Sequence, residues 1–284
     1  MKYKLLFVTA FLLAGCDKVE DPLGDEGPVV DPGVTVPRKV LLEDCTGHNC
    51  NNCPQAAVIA EELKGIYRDD LIVVGVHMVT GFADPVMPLG DGILDTDFRT
   101  EAGNAYELAF GVTSLPKGLI SRQAYGNSVA LSRTNWSPAV AAIIGKQADF
   151  ELWFDTLGFD AGTNTVTTTV KAVCTKTISV DHNLTIYLTE DSVIDGQEDL
   201  QHNPPFIPNY VHRNVLRDNL NGTWGAPILL GSAAAGDTLT LSYTYTLAAT
   251  VLEPGHCSLV AFVYPTTGTQ AREVKQVAEA KLVP

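Results

Sequence analysis

Three cysteines fall within nine residues, in the stretch Cys45-Thr-Gly-His48-Asn-Cys50-Asn-Asn-Cys53-Pro54. These residue types support three chemistries. A Cys-x-x-Cys pair at the start of a helix suits disulfide exchange, because unpaired backbone N–H groups and the helix dipole favour negative charge. An exposed Cys50 then loses its proton more readily than a free cysteine. Its thiolate can attack a substrate disulfide, and Cys53, one turn along, can resolve the mixed disulfide. The same two residues can instead form an inert structural disulfide, which an oxidising envelope compartment favours. Alternatively, Cys45, His48, Cys50 and Cys53 are soft ligands for zinc or copper(I), although their spacing fits neither a paired Cys-x-x-Cys knuckle nor a Cys-Cys, His-His finger.

The elements around this cluster alternate strand and helix. Lys39 to Asp44 reads as a strand, and Pro54 to Tyr67 as a helix with Ile59, Leu63, Ile66 and Tyr67 on one face. Leu71 to Val76 is the continuous apolar run of a buried strand. Phe98 to Phe110 predicts a second helix, Lys117 to Arg122 another strand, and Pro138 to Ala148 a last helix. This order predicts an α/β unit with parallel pairing. Pro54 is tolerated only in a helix's first turn, so the helix should begin close to Cys50. A segment rich in Gly, Pro and Asp between Val79 and Asn104 could cover the cysteines or form an ornamental loop.

The run Leu41-Leu-Glu-Asp44-Cys45-Thr-Gly-His-Asn-Cys50 resembles, without gaps, the strand leading into the Cys-x-x-Cys of the thioredoxin superfamily. The resemblance implies that Asp44 is the buried acid exchanging protons with Cys53. Cys45 then takes a core position that a small apolar thiol can fill. Phe110-Gly-Val-Thr-Ser-Leu115-Pro116-Lys117 is similar to the family's stretch with a cis-proline, which makes Pro116 the residue that positions substrate backbone. The catalytic candidates are therefore Cys50, Cys53, Asp44 and Pro116. Asn49 replaces the family's usual aromatic residue before the first cysteine, and Asn51-Asn52 leaves the redox direction unreadable.

The second half has another character. Of 27 threonines, 19 lie in residues 149–284, as expected of strands. About seven strand-like runs are predicted, near Phe150 to Leu157, Thr165 to Cys174, Asn183 to Thr189, Tyr210 to Arg217, Thr238 to Leu247, Cys257 to Tyr264 and Arg272 to Val283. That count suggests an immunoglobulin-like β-sandwich. Cys174 closes one run and Cys257 opens another, so two separate buried thiols are favoured over a bridge. Val40 to Pro54, together with Tyr210-Val-His212-Arg-Asn-Val-Leu-Arg217, resembles a family of bacterial outer-membrane lipoproteins named for a twenty-eight-kilodalton outer membrane protein. That resemblance implies a thioredoxin-like domain paired with a β-sandwich, which with the strand count gives the expected fold, α/β plus all-β, a thioredoxin-like domain followed by an immunoglobulin-like β-sandwich. The expected domains are 38–148 and 149–284.

The address is read from the first residues. Met1 to Gly15 has two lysines and then an apolar run from Leu5 to Leu13, too short to span a bilayer. This pattern predicts a signal peptide, and Leu13-Ala14-Gly15-Cys16 resembles the bacterial lipobox, which implies lipidation at Cys16 by acyl chains such as palmitate. Residues 17–37 hold four prolines, three glycines and six acidic residues against one lysine, an extended tether. The expected location is the cell envelope, lipid-anchored in the outer membrane, on either its periplasmic or its surface face. A formal charge of -14, from 33 acidic and 19 basic residues, argues against a nucleic-acid partner. The partners expected are the membrane, through the N-terminal lipid, and an envelope or surface protein or a thiol/disulfide substrate. No P-loop, Gly-x-Ser-x-Gly elbow or His-Glu-x-x-His helix is present, and no cofactor is expected.

Overall fold

A computed structural model describes residues 35–78, 81–86 and 93–283. The segment 1–15, Cys16 and most of the tether lie outside the described residues. In the first half, β1 (Val40–Thr46) is followed by α1 (Cys53–Tyr67), β2 (Leu71–His77), α2 (Glu101–Phe110), β3 (Lys117–Ile120), β4 (Ala130–Leu131) and α3 (Trp136–Ala141). β1 and the apolar β2 are buried strands that pair in parallel, Val40 against Leu71 through Thr46 against His77. β3 runs antiparallel to β1, and β4 antiparallel to β3. Alternation along β1 sends Val40 and Leu42 into a core with α1 and α3, and Leu41 and Cys45 into a core with α2.

Local chemistry moves several predicted boundaries. α1 begins at Cys53 rather than close to Cys50, with Pro54 in its first turn. Its buried face carries the small Ala56 and Ala60 together with Leu63, while Ile66 stands 69% exposed. α2 begins at Glu101, because the Thr100 hydroxyl accepts a hydrogen bond from the Gly103 N–H at 2.9 Å and caps the helix. α3 ends at Ala141, and the chain turns by Gly145, whose φ of 73° suits glycine.

The second half forms ten strands instead of seven: β5 (Phe150–Asp160), β6 (Thr165–Cys174), β7 (His182–Glu190), β8 (Val193–Glu198), β9 (Phe206–His212), β10 (Val215–Asn219), β11 (Ala226–Leu229), β12 (Thr238–Thr246), β13 (Cys257–Pro265) and β14 (Gln276–Lys281). The run predicted over Tyr210 to Arg217 breaks between β9 and β10, where Asn214 adopts a φ of 48°. The fold is mostly β-sheet with few helices.

β12, β6 and β5 make a three-stranded sheet, and β8 and β9 a separate hairpin. The others extend the first sheet into nine strands, ordered β14-β13-β7-β10-β2-β1-β3-β4 with β11 on β7. The join lies between β10 and β2, where Val215 pairs with Gly75 and the Gly75 N–H donates to Asn214 O at 2.9 Å. A Cβ at position 75 would sit 3.2 Å from Arg213 O, so glycine admits the close approach. Phe150 and Val170 of the smaller sheet pack on Leu184 and Leu259 of the larger one. Cys174 and Cys257 are buried and free.

A charged contact fastens the join. Glu43 and Arg122, both with fully buried side chains, form a two-pronged pair at 2.9 and 2.8 Å. The Tyr187 hydroxyl on β7 donates to Glu43 Oε1 at 2.7 Å. Tyr106 lies 4.4 Å below the guanidinium, with Phe110 and Phe262 each at 5.0 Å. Removing one member of such a pair strands the other. Arg122→Met is expected to cost about 3–5 kcal/mol in urea unfolding, and the double variant with Glu43→Leu to recover most of it.

Candidate functional site

The Cys loop leaves the end of β1 and enters α1 through a turn in which the Cys53 N–H donates to Cys50 O at 3.0 Å. Cys50 and Cys53 are joined as a disulfide with Cα atoms 5.4 Å apart. Cys50, expected to be exposed, is only 3% exposed, and Cys53 1%. Two segments distant in sequence cover them. From the Val79 to Asn104 insertion, Phe82 O accepts from the Asn49 N–H at 2.9 Å, and Asp84 O lies 2.7 Å from His48 Nε2. A Cβ at Gly47 would lie 2.5 Å from Phe82 O, so this contact requires glycine.

The second cover is the β8–β9 hairpin. The Glu198 N–H donates to His48 O, and the Leu200 N–H to Asn51 O, each at 2.9 Å. The buried Gln197 amide donates to Cys50 O at 3.1 Å, and Gln55 to Asp199 Oδ1 at 2.6 Å. Leu115–Pro116 is a cis peptide immediately before β3, whose Lys117 pairs with Cys45 at the strand end from which the Cys loop departs.

Asp44 and Cys45, adjacent on β1, point to opposite faces of the sheet. Asp44 faces α1 and lines a cleft of about 410 Å³ together with Cys53. It is 5% exposed, its Oδ1 has no hydrogen-bond partner, and burial raises its pKa to about 7. α1 supplies Ala57, Val58 and Glu61 to the cleft wall, β2 supplies Val73 and His77, and β9 supplies Tyr210 and His212. Cys45 lies in the opposite core, and burial, with Glu43 and Asp44 nearby, pushes its thiol well above the ordinary range. It is an inert packing residue.

The proposed metal set is therefore not assembled. Two of its thiols are spent in the disulfide and Cys45 is turned away. Among the described residues no three His, Cys, Asp or Glu side chains converge to hold a metal ion.

His48 and His212, both singled out in the sequence, meet His77, which was not, in one cluster. His77 stacks on Phe98 with ring centroids 4.4 Å apart, His212 tilts toward it at 4.7 Å, and His48 meets its edge at 5.6 Å. All three histidines are buried. Burial brings His212 down to about 4, and burial, with His212, His48 and Arg217 nearby, holds His77 well below its ordinary value. The His77 and His212 rings act here as packing against Phe98. A histidine ending the apolar β2 run was the available signal for His77.

A family model described as Outer membrane protein Omp28 matches residues 103–283. The chain belongs to the Omp28 family. Membership gives this Omp28-family chain a lipid-anchored outer-membrane location. The matched region contains Pro116, the β8–β9 hairpin and the β2-facing strand β10, but begins after the Cys loop.

Among solved structures, the chain is similar to HBP35 of Porphyromonas gingivalis, at 16% identity over 87% of this chain and 76% of that one, with a TM-score of 0.63. It is also similar to protein AGR_C_4864 from Agrobacterium tumefaciens, at 8% identity over 88% and 96% of the two chains, with a TM-score of 0.50. A domain of the outer membrane lipoprotein Omp28 from Porphyromonas gingivalis matches at 22% identity over 48% of this chain and 90% of that one, with a TM-score of 0.31. No curated protein matches.

The carboxyl of Asp44 sets a pH dependence. Its pKa is raised from 3.8 to about 7, so its contribution to stability is complete below 3.8 and is lost as the pH rises toward 7. Asp44→Asn is expected to stabilise the protein by up to about 4 kcal/mol at pH 8 and by little at pH 4, measured by urea unfolding at both values.

Proposed function

We propose that this outer-membrane lipoprotein exchanges thiols and disulfides through Cys50 and Cys53 in a thioredoxin-like domain spanning 38–148. In this reading residues 1–15 are a signal peptide, Cys16 carries the acyl chains, and an immunoglobulin-like β-sandwich from 149–284 supplies part of the site. Support for the fold comes from the order β2-β1-β3-β4, with α1 and α3 on one face of the sheet and α2 on the other.

The observation that carries the reading is the shared cleft of Cys53 and the unpartnered Asp44 carboxyl. A carboxyl titrating near neutrality can take the Cys53 proton. In the reducing direction the Cys50 thiolate attacks a substrate disulfide, forms a mixed disulfide and releases one substrate thiolate. Cys53, its proton passed to Asp44, then attacks Cys50 Sγ, closes the Cys50–Cys53 disulfide and releases the second substrate thiolate. Pro116, at the strand end from which the Cys loop departs, is suited to position the substrate backbone. The exchange partner is an envelope or surface protein.

A second reading, an interaction lipoprotein with a structural disulfide, draws on the burial of both sulfurs. The reduction potential of the pair separates the two. Exchange predicts a potential above roughly -300 mV and rapid alkylation of reduced Cys50, which Cys50→Ser abolishes and Cys53→Ser preserves. A pair that resists both reduction and alkylation overturns it.

A further inference from the structure

The cleft beside Cys53 has features that disulfide exchange does not use. Its walls are largely apolar, formed by Pro54, Ala57, Val58 and Ala60 of α1 facing Val73, Tyr210 and Val211. An apolar pocket with a few polar groups at defined points is the usual form of a small-molecule site. Here one of those groups is Asp44, 95% buried by its 5% exposure, lining the cleft and leaving Oδ1 without a partner. A buried carboxylate oxygen without a donor costs free energy; Oδ1 is closed to solvent, so a ligand's N–H group recovers that cost only when the carboxyl turns this oxygen toward the cleft.

The charge around the cleft selects the ligand. Glu61 and Glu62 join Asp44 in the lining. The cationic side chain in that lining, Arg213, is held by Asp191 at 3.0 Å. Burial first, then the charges of Asp44, Asp199 and Glu61, push the Tyr210 hydroxyl up to about 12, with Arg213 opposing. A negative field in an apolar cleft disfavours carboxylates and phosphates and favours a cation small enough to reach the floor.

We propose that this cleft binds a primary ammonium group on a short apolar chain, with the buried Asp44 as counter-ion and the exposed Glu61 and Glu62 elsewhere in the lining. A volume of 410 Å³ accommodates a chain of about four to six carbons. A free alkylamine and the lysine side chain of a bound polypeptide share this chemistry. The site is independent of the exchange reading, since it needs the disulfide only as part of the wall. Under that reading, an ammonium at Asp44 would also hold its carboxyl ionised beside Cys53, coupling occupancy to proton transfer.

Calorimetric titration of the full, oxidised chain in detergent tests the site with no redox step. n-Pentylamine is expected to bind saturably and at least tenfold more tightly than n-pentanol. Asp44→Asn and the cleft-filling Ala57→Leu are each expected to weaken the amine at least tenfold, with Asp44→Asn verified as folded by urea unfolding. A blocked lysine peptide that competes with pentylamine, where its norleucine counterpart does not, identifies a polypeptide as the source. Binding of pentylamine without such competition identifies a free amine. Equal affinity for amine and alcohol, or amine affinity unchanged in folded Asp44→Asn, overturns the proposal whatever the reduction potential of the disulfide.

Discussion

The buried Glu43–Arg122 pair is the constraint on which the arrangement of the molecule turns. Two charges taken out of water are tolerated only when they face each other closely; here Arg122 Nη1 has no hydrogen-bond partner, and the guanidinium lies over the Tyr106 ring. Glu43 comes from β1, Arg122 from the turn after β3, and the third partner, the Tyr187 hydroxyl, from β7 in the second half. The turn holds Ser121 and Arg122 at φ values of 46° and 52°, in the left-handed region that side chains disfavour. Ser121 O accepts from the Val274 N–H at 2.8 Å, so the strained turn is fixed from both halves of the chain.

This fastening also explains how one strand carries two unlike carboxylates. Glu43 and Asp44 are neighbours, and the pleat of β1 sends them to opposite faces. Glu43 meets a guanidinium and an aromatic box, whereas Asp44 meets an apolar cleft and a disulfide without a donor for Oδ1. The first carboxylate holds the halves together. The second is left with a pKa near neutrality beside Cys53. The same union of halves brings the β8–β9 hairpin onto the Cys loop, so the cover of the disulfide is supplied by the chain's second half.

Local features were legible in the sequence. The strand β1, the apolar run of β2, the helix after Pro54 and the Cys-x-x-Cys at the strand-helix junction all follow from nearest-neighbour chemistry. Boundaries shifted where a single side chain decided them, as the Thr100 cap does for α2. Long-range closure was not legible. Gln197 reaches Cys50 O across 147 positions, and β10 meets β2 through the single pair of Val215 and Gly75, which no local periodicity encodes. The role of Glu43 was not legible, because its partner lies 79 residues away. The exposure expected of Cys50 failed for the same reason, since both of its covers come from elsewhere in the chain.

The proposed exchange requires the covered disulfide to become reachable by local opening of its covers while the rest of the fold stays intact. The rate at which dithiothreitol reduces Cys50–Cys53, followed against urea below the unfolding transition, tests it directly. Local opening exposes little surface, so the rate is predicted to be nearly flat in urea. A rate that climbs with the full denaturant dependence of global unfolding would contradict the account, because the pair would then be reachable only in the unfolded chain.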